Sequence, residues 1–169
     1  RGVFQNGDSV FMRNWSYAWS LSQKEDSKVK GKVGVTALPI GGARGQHTAT
    51  LGGWQLAVSK YSEHPDEAVD LLLYLTSAEV QKQRAIEASY NPTIPRVYSD
   101  TAVLKTTPFF DILYGIFIGA EARPSSVVGE KYNEVSSAFW NAAYSTLSGK
   151  ASGAESVKKL ENDLILIRQ

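Results

Sequence analysis

The residues of this sequence that could recognise a ligand are aromatic side chains in two segments. Trp15, Tyr17 and Trp19 alternate with small residues in the first segment, and in the second a glycine pair ending at Gly53 precedes Trp54. Indole and phenol rings offer a flat apolar face that can lie against a pyranose, while their N–H and O–H groups can bond hydroxyls. The alternation predicts a strand that points all three rings of the first segment to one face. Glycine before Trp54 permits unusual dihedral angles or a close approach of the backbone to a ligand.

Packing is the alternative role for these rings, because aromatic residues of strands are often half-buried for packing alone. We predict that Trp19 and Trp140 lie in the core. Arg123 follows the end of a predicted helix, and its rigid fork of donors suits two adjacent sugar hydroxyls or a carboxylate. The alternative is that Arg123 is an ordinary surface arginine, which is hydrated and binds no ligand. The candidate ligand contacts are therefore Trp15, Tyr17, Gly53, Trp54 and Arg123.

Several classes of chemistry lack their residues in this sequence. There is no cysteine, which excludes disulfide scaffolds, thiol catalysis and cysteine metal sites. The two histidines, His47 and His64, lie 17 residues apart without the spacing of a zinc site, and no phosphate-loop, dinucleotide or serine-nucleophile motif is present. A net charge of +1 gives no reason to expect a nucleic-acid partner. We therefore predict no cofactor, no metal site, no nucleic-acid partner and no enzymatic activity.

The elements that position the candidates are predicted to be short strands and longer helices, which makes this an α/β chain with helix in excess. β-Branched and aromatic residues predict strands over residues 10–15, 33–38 and 54–59. Apolar residues at helical spacing predict helices from Pro65 through Leu75, from a capping box at Thr76–Glu79 to about Ala88, and over about residues 108–119, 131–148 and 154–168. No stretch approaches the roughly 20 apolar residues that span a bilayer, so we predict no transmembrane segment in this chain.

Taken together, these segments resemble the C-terminal portion of an extracellular (periplasmic) solute-binding protein of an ABC sugar importer, of the trehalose/maltose-binding-like family (family 1). The matching stretches are Val10–Trp19, Gly31–Val35, Leu38–Pro39, Thr50–Lys60, Pro65–Ala68, Tyr74–Ser77, Arg123–Ser126 and Tyr132–Ser136. Each stretch is short, but they occur in the order and approximate spacing of the family and cover nearly the whole chain.

The resemblance implies part of a type II periplasmic-binding-protein fold, which has two α/β lobes joined by a hinge. Residues 1–51 are then a segment of the C-terminal lobe, residues 52–91 cross the hinge into the N-terminal lobe, and residues 92–169 return as C-terminal-lobe helices. The chain is expected to be a fragment, or one piece of a divided protein. Without the sheet of the N-terminal lobe, Leu72, Leu73 and Leu75 would form an exposed apolar patch.

The resemblance also implies a function. A sugar, an α-linked glucose disaccharide such as trehalose or maltose, would be captured by lobe closure and delivered to an ABC permease. Trp15 and Tyr17 match aromatic contacts on the C-terminal-lobe wall, Gly53 and Trp54 match the hinge-side contact, and Arg123 matches an arginine that bonds sugar hydroxyls. The implied partners are the sugar, the permease and the missing N-terminal part. The implied location is periplasmic or extracellular, and anchoring to a membrane through the absent N-terminus stays open.

Two alternatives of other classes remain open at this point. A sugar-sensing receptor module would use the same binding fold to feed a receptor instead of a permease. A carbohydrate-active enzyme fragment would need two carboxylates about 5 or 9 Å apart across the sugar. Glu121 is the one acid close in sequence to the candidate ligand contacts, which disfavours the enzyme.

Overall fold

The computed structural model describes residues 1–43 and 45–168, which form two compact units. Unit 1 is Arg1–Glu121, and unit 2 comprises the residues from Ala122 onward. Unit 1 contains α1 (Gly2–Gln5), α2 (Tyr17–Ser22), α3 (Pro65–Thr76), α4 (Ala78–Ala88), α5 (Pro95–Tyr98), α6 (Thr101–Thr106) and α7 (Phe110–Ile118). Unit 2 contains α8 (Ser125–Val128), a 3-10 turn (Gly129–Lys131), α9 (Tyr132–Leu147) and α10 (Gly153–Arg168). No helix in the described part of the chain is both long and apolar enough to cross a membrane.

The five helices predicted from apolar spacing are confirmed as α3, α4, α7, α9 and α10. Local sequence explains where they begin and end. Pro65 stands at the start of α3, where its missing N–H is not needed, and Asp66 and Glu67 lie at the positive end of the helix dipole. Gly149 follows α9 with φ of 71°, a left-handed conformation that glycine adopts without a Cβ clash.

The three predicted strands are wrong for the described residues, which form no strand ladder. Residues 10–15, 33–38 and 54–59 are extended or irregular. The one strand-like pairing in the described part of the chain is an isolated parallel bridge between Thr50 and Glu121. There the Leu51 N–H donates to the Glu121 carbonyl at 2.8 Å. A strand exists only when a neighbour supplies hydrogen-bond partners for its backbone, and β-branched residues cannot supply that neighbour themselves.

The alternating aromatic segment begins a helix instead of extending a strand. Trp15 and Ser16 precede α2, which begins at Tyr17 and includes Trp19. Residues two apart in a helix are about 200° apart around the axis, so Tyr17 and Trp19 cannot share a face. Trp19 packs edge-on against Phe109, with ring centroids 5.3 Å apart, and its indole N–H donates to the Thr106 carbonyl. Trp19 is thus partly buried and packs against the core, although it is not one of the buried core residues.

The core of unit 1 lies among α4, α5, α6 and α7. Its buried residues are Ala85, Val97, Tyr98, Val103, Phe109 and Phe110. Tyr98 is the polar member: its hydroxyl donates to the Pro92 carbonyl at 2.8 Å, and burial raises the pKa of Tyr98 to about 12. This hydrogen bond keeps the phenol satisfied inside the core, where an unpaired hydroxyl would be destabilising.

The start of α4 is capped by Ser77, one residue later than the predicted Thr76. The Ser77 hydroxyl accepts from the Val80 N–H at 3.4 Å, whereas the Thr76 hydroxyl donates back to the Leu72 carbonyl of α3 at 2.8 Å. We expect Ser77→Ala to lower the free energy of unfolding by about 1 kcal/mol, because it leaves a helix N-terminal donor without its cap. Urea denaturation followed by circular dichroism measures this, with Thr76→Ala as control. An equal or larger loss in Thr76→Ala would contradict the assignment of the cap.

An ion pair joins α4 to the N-cap of α6. Lys82 Nζ lies 2.7 Å from Asp100 Oδ2, and Asp100 Oδ1 accepts from the Ala102 N–H at 2.9 Å. The hydrogen bond from Lys82 is the largest cause that lowers the pKa of Asp100, and the Ala102 N–H acts in the same direction. A carboxylate whose pKa is lower in the folded chain stabilises the fold above its unfolded pKa of about 3.9, and that stabilisation is lost as the pH falls further.

Stability of unit 1 should therefore depend on pH through Asp100 in the acid range. We expect the free energy of unfolding of the wild-type chain to fall between about pH 5 and pH 3 more steeply than that of Asp100→Asn, which has no carboxylate to protonate. Urea titrations at several pH values give the two slopes, and Asp8→Asn serves as an exposed control. If the free energy of unfolding falls with the same slope between about pH 5 and pH 3 in wild type and in Asp100→Asn, this expectation is contradicted.

Unit 2 is built on the antiparallel pair of α9 and α10. Ser152 and Glu155 form a capping box before α10, in which the Glu155 carboxylate accepts from the Ser152 N–H at 2.8 Å and from the Ser152 hydroxyl at 2.6 Å. These two bonds lower the pKa of Glu155. At the other end of the pair, Lys131 Nζ donates to the Ile167 carbonyl at 2.6 Å and so satisfies one of the last carbonyls of α10.

The predicted burial of Trp140 is wrong, because its side chain lies on the exposed face of α9 and is 56% exposed. The sides of α9 that are partly covered carry Val135, Ala138 and Ala142. Small residues at that spacing let α10 approach closely. The bulky residues of α9 lie on other faces, and Phe139, Tyr144 and Leu147 are exposed with Trp140.

Candidate functional site

Trp15 and Tyr17 lie together at the N-terminal end of α2. Trp15 is 46% exposed, and its backbone N–H donates to the Asn14 side-chain oxygen at 2.8 Å. Tyr17, the first residue of α2, is half-buried, and its ring lies 6.3 Å from that of Tyr90. Both rings therefore keep part of their surface accessible to solvent. The structure brings these two predicted residues together, but at a helix terminus and not on a strand.

Gly53 and Trp54 lie in the same unit, in a segment without regular secondary structure. The Trp54 side chain is 97% exposed, which leaves an indole without protein neighbours to cover its faces. A Cβ built on Gly53 would meet nothing within 4 Å, and the glycines with positive φ lie elsewhere, at Gly31 and Gly149 among others. Neither a strained backbone nor a crowded neighbour thus explains this glycine. What remains of its predicted role is room for a ligand to approach the backbone beside Trp54.

Arg123 belongs to unit 2, in the segment that leads into α8, and its side chain is exposed. The Trp140 indole of α9 is a further exposed aromatic surface in that unit. Sequence reasoning missed Trp140 because it treated α9 as a helix with its bulky residues inward. The small residues Ala138 and Ala142, four apart, were the available signal that the opposite orientation holds.

The described residues offer no cluster of side chains that could hold a metal ion. No group of three or more His, Asp or Glu side chains in residues 1–43 and 45–168 could hold a metal ion. Both histidines are exposed, and His47 Nδ1 lies 2.6 Å from the Leu38 carbonyl. A groove of about 440 Å³ in unit 1 is lined by residues of α5, α6 and α7, such as Arg96, Leu104 and Tyr114, and by none of the predicted ligand contacts.

Comparison with known protein families shows to which family this chain belongs. Residues 1–110 match the family model described as "Bacterial extracellular solute-binding protein". The chain belongs to the bacterial extracellular solute-binding protein family. This is a family of solute-binding proteins and not of enzymes, and its name places its members outside the cytoplasmic membrane.

Two similar proteins give this membership more detail. A "Probable ABC transporter-binding protein" of Deinococcus radiodurans is 54% identical over 168 residues, which are 99% of this chain and 40% of that protein. The structure titled "Maltose bound T. maritima MalE3" has a TM-score of 0.90 and 40% identity, over 98% of this chain and 42% of the matched chain. The predicted fold class is therefore confirmed as a helix-rich part of a periplasmic-binding-protein fold. The chain spans about two fifths of the length of each of these relatives.

Proposed function

We propose that this chain is part of a protein that binds a sugar by lobe closure and delivers it to an ABC permease. The observation that carries the proposal is the 40% identity and TM-score of 0.90, over 98% of the chain, to a structure whose title names bound maltose. An α-linked glucose disaccharide such as maltose or trehalose is the proposed ligand. The relative named as an ABC transporter-binding protein supports the permease as the receiver of the sugar.

The proposed sugar contacts are Trp15, Tyr17, Gly53, Trp54 and Arg123. The indole and phenol rings would cover the C–H faces of the sugar, and the Arg123 guanidinium would donate to its hydroxyls. Closure would exclude water and pair the remaining hydroxyls, so that ligand binding biases an open–closed equilibrium. The sugar itself would not be altered.

We further propose the lobe assignment of residues 1–51 and 92–169 to the C-terminal lobe and of residues 52–91 to the hinge crossover and the N-terminal lobe. Exposed apolar side chains of α3 support a partner for this crossover. Leu71, Leu73 and Tyr74 are exposed there, and Leu72 and Leu75 are only partly covered. Large apolar side chains that are exposed to water favour burial against another protein surface.

The proposed partner is the rest of the solute-binding fold. A practical probe is the part of the Deinococcus radiodurans relative that this chain does not match, which we call the complementary segment. We expect the two chains, mixed in equal amounts, to elute as one complex from a size-exclusion column. Leu73→Asp should weaken this complex, and Leu147→Asp, on an exposed face of α9, serves as the control. Separate elution of both folded chains would contradict the proposed partner.

The sugar assignment is tested by tryptophan fluorescence. The complex is titrated with maltose, trehalose, sucrose and glucose, and the chain alone is titrated in parallel. We expect a saturable change with maltose or trehalose that is strongest in the complex, and chromatography of the mixture should return the sugar unchanged. A flat response of an assembled complex to all four sugars would contradict the assignment, and cleaved sugar would favour the enzyme.

A further inference from the structure

Two serine hydroxyls attach α2 to the C-terminal end of α4. Ser16 Oγ donates to the Ser89 carbonyl at 2.5 Å. Ser20 Oγ shares its one proton between the Tyr17 carbonyl of its own helix at 3.0 Å and the Ala88 carbonyl of α4 at 3.1 Å. The two serines are four residues apart, so they lie on the same side of the helix one turn from each other. They thus contact two consecutive carbonyls of a segment that is 68 or more residues away in the sequence.

The accepting carbonyls stand where α4 stops. Ser89 is the C-cap of α4 and has left-handed dihedral angles of 55° and 31°, the one non-glycine residue with positive φ in the described chain. The last carbonyls of a helix have no partner within it, and Ser89 is buried away from water. The hydroxyls of Ser16 and Ser20 satisfy carbonyls of this kind, so their removal would leave partly buried acceptors without these donors.

The proposed sugar-contacting rings flank this attachment. Trp15 precedes Ser16, Tyr17 follows it, and Tyr90, against which the Tyr17 ring lies, follows Ser89. A helix of six residues has too few internal hydrogen bonds to hold its own position. Trp19 holds α2 against the core through Phe109 and Thr106, and the serines hold its N-terminal end. The serine contacts therefore lie next to Trp15 and Tyr17, where they can influence the orientation of both rings.

We propose that Ser16 and Ser20 are positioning residues, which touch no sugar but set the orientation of the Trp15 and Tyr17 rings for binding. This inference rests on the proposed function, because it concerns the geometry of the proposed sugar contacts. The hydroxyls act through α2, and the two rings act on the ligand. A displacement of about 1 Å is enough to weaken a contact that depends on stacking geometry.

The first arm of the test needs no sugar. The chain is labelled with 5-fluorotryptophan, and the ¹⁹F resonance of Trp15 is assigned with Trp15→Phe. We expect Ser16→Ala/Ser20→Ala to shift or broaden the Trp15 signal while those of Trp54 and Trp140 stay in place. Ser16→Thr/Ser20→Thr, which keeps both hydroxyls, should restore the wild-type signal. Ser99→Ala is the matched control, because it removes an exposed hydroxyl that donates to the nearby Arg96 carbonyl of α5.

The second arm measures maltose affinity in the complex with the complementary segment. We expect the double alanine variant to bind about tenfold more weakly, and the threonine variant and Ser99→Ala to bind as wild type does. If the double variant does not fold, the single variants Ser16→Ala and Ser20→Ala decide by the same two readouts. An unchanged Trp15 signal with unchanged affinity would overturn the positioning role. A wild-type complex that binds no sugar contradicts the proposed function, and the ¹⁹F arm still decides on the serines.

Discussion

Trp54→Ala is expected to raise the Kd of the complex for its sugar by about 30-fold or more. The indole of Trp54 is 97% exposed in the chain, so its whole surface is available to a ligand. Tryptophans that become buried on binding contribute about 2 kcal/mol or more to the binding free energy. The same exposure predicts that the substitution changes the stability of the chain little, because no packing is lost. Calorimetric titration with maltose measures the affinity, and urea denaturation measures the stability.

The matched control for this prediction is Tyr61→Ala. Tyr61 is 81% exposed in the same unit but is not a proposed sugar contact, so its removal should leave the Kd within about twofold of wild type. Equal effects of the two substitutions would show that exposed aromatic residues act non-specifically. Full retention of affinity in Trp54→Ala would remove Trp54 from the proposed site.

Phe110→Ala is expected to lower the free energy of unfolding of unit 1 by about 3–5 kcal/mol. The Phe110 ring is fully buried and lies 5.4 Å from the ring of Phe109 and 5.6 Å from that of Tyr98, so truncation leaves a cavity at the centre of the core. Since whole domains are stable by only about 5–15 kcal/mol, this one substitution should bring the unit close to unfolding.

The comparison variant is Ile118→Ala in the same helix. Ile118 is 71% exposed, and its truncation should cost less than about 1 kcal/mol. Urea denaturation followed by far-ultraviolet circular dichroism gives both values. A loss below about 1 kcal/mol in Phe110→Ala would mean that the core does not centre on Phe110.

The helices of this chain could be predicted because their signals are local. In α3, Pro65 at the first turn and leucines at helical spacing stand within twelve residues. The backbone hydrogen bonds of a helix join residues four apart, so they form within that segment or with its immediate neighbours. The predicted strands failed for the opposite reason. Residues 54–59 have the composition of a strand, but their pairing depends on a neighbour that no local signal can supply.

The candidate site shows the same division between local and non-local information. The types of Trp15 and Trp54 were enough to make them candidates, and the structure leaves both exposed. The helical start at Tyr17 was missed, because the alternating aromatic residues favour a strand, and the contacts of Ser16 and Ser20 are with residues far along the chain. Trp140 was misjudged because the orientation of α9 depends on how closely α10 packs against its alanines.

The most direct test of the account is a calorimetric titration of maltose into the complex of this chain with the complementary segment. The account predicts a saturable heat with one sugar per complex, much weakened by Trp54→Ala and unaffected by Tyr61→Ala. Trehalose serves as the second sugar, since the α-linked glucose disaccharides are proposed as a class. A complex that assembles but gives no binding heat with either disaccharide, while tryptophan fluorescence also stays unchanged, would contradict the claim that this chain contributes to a sugar-binding site.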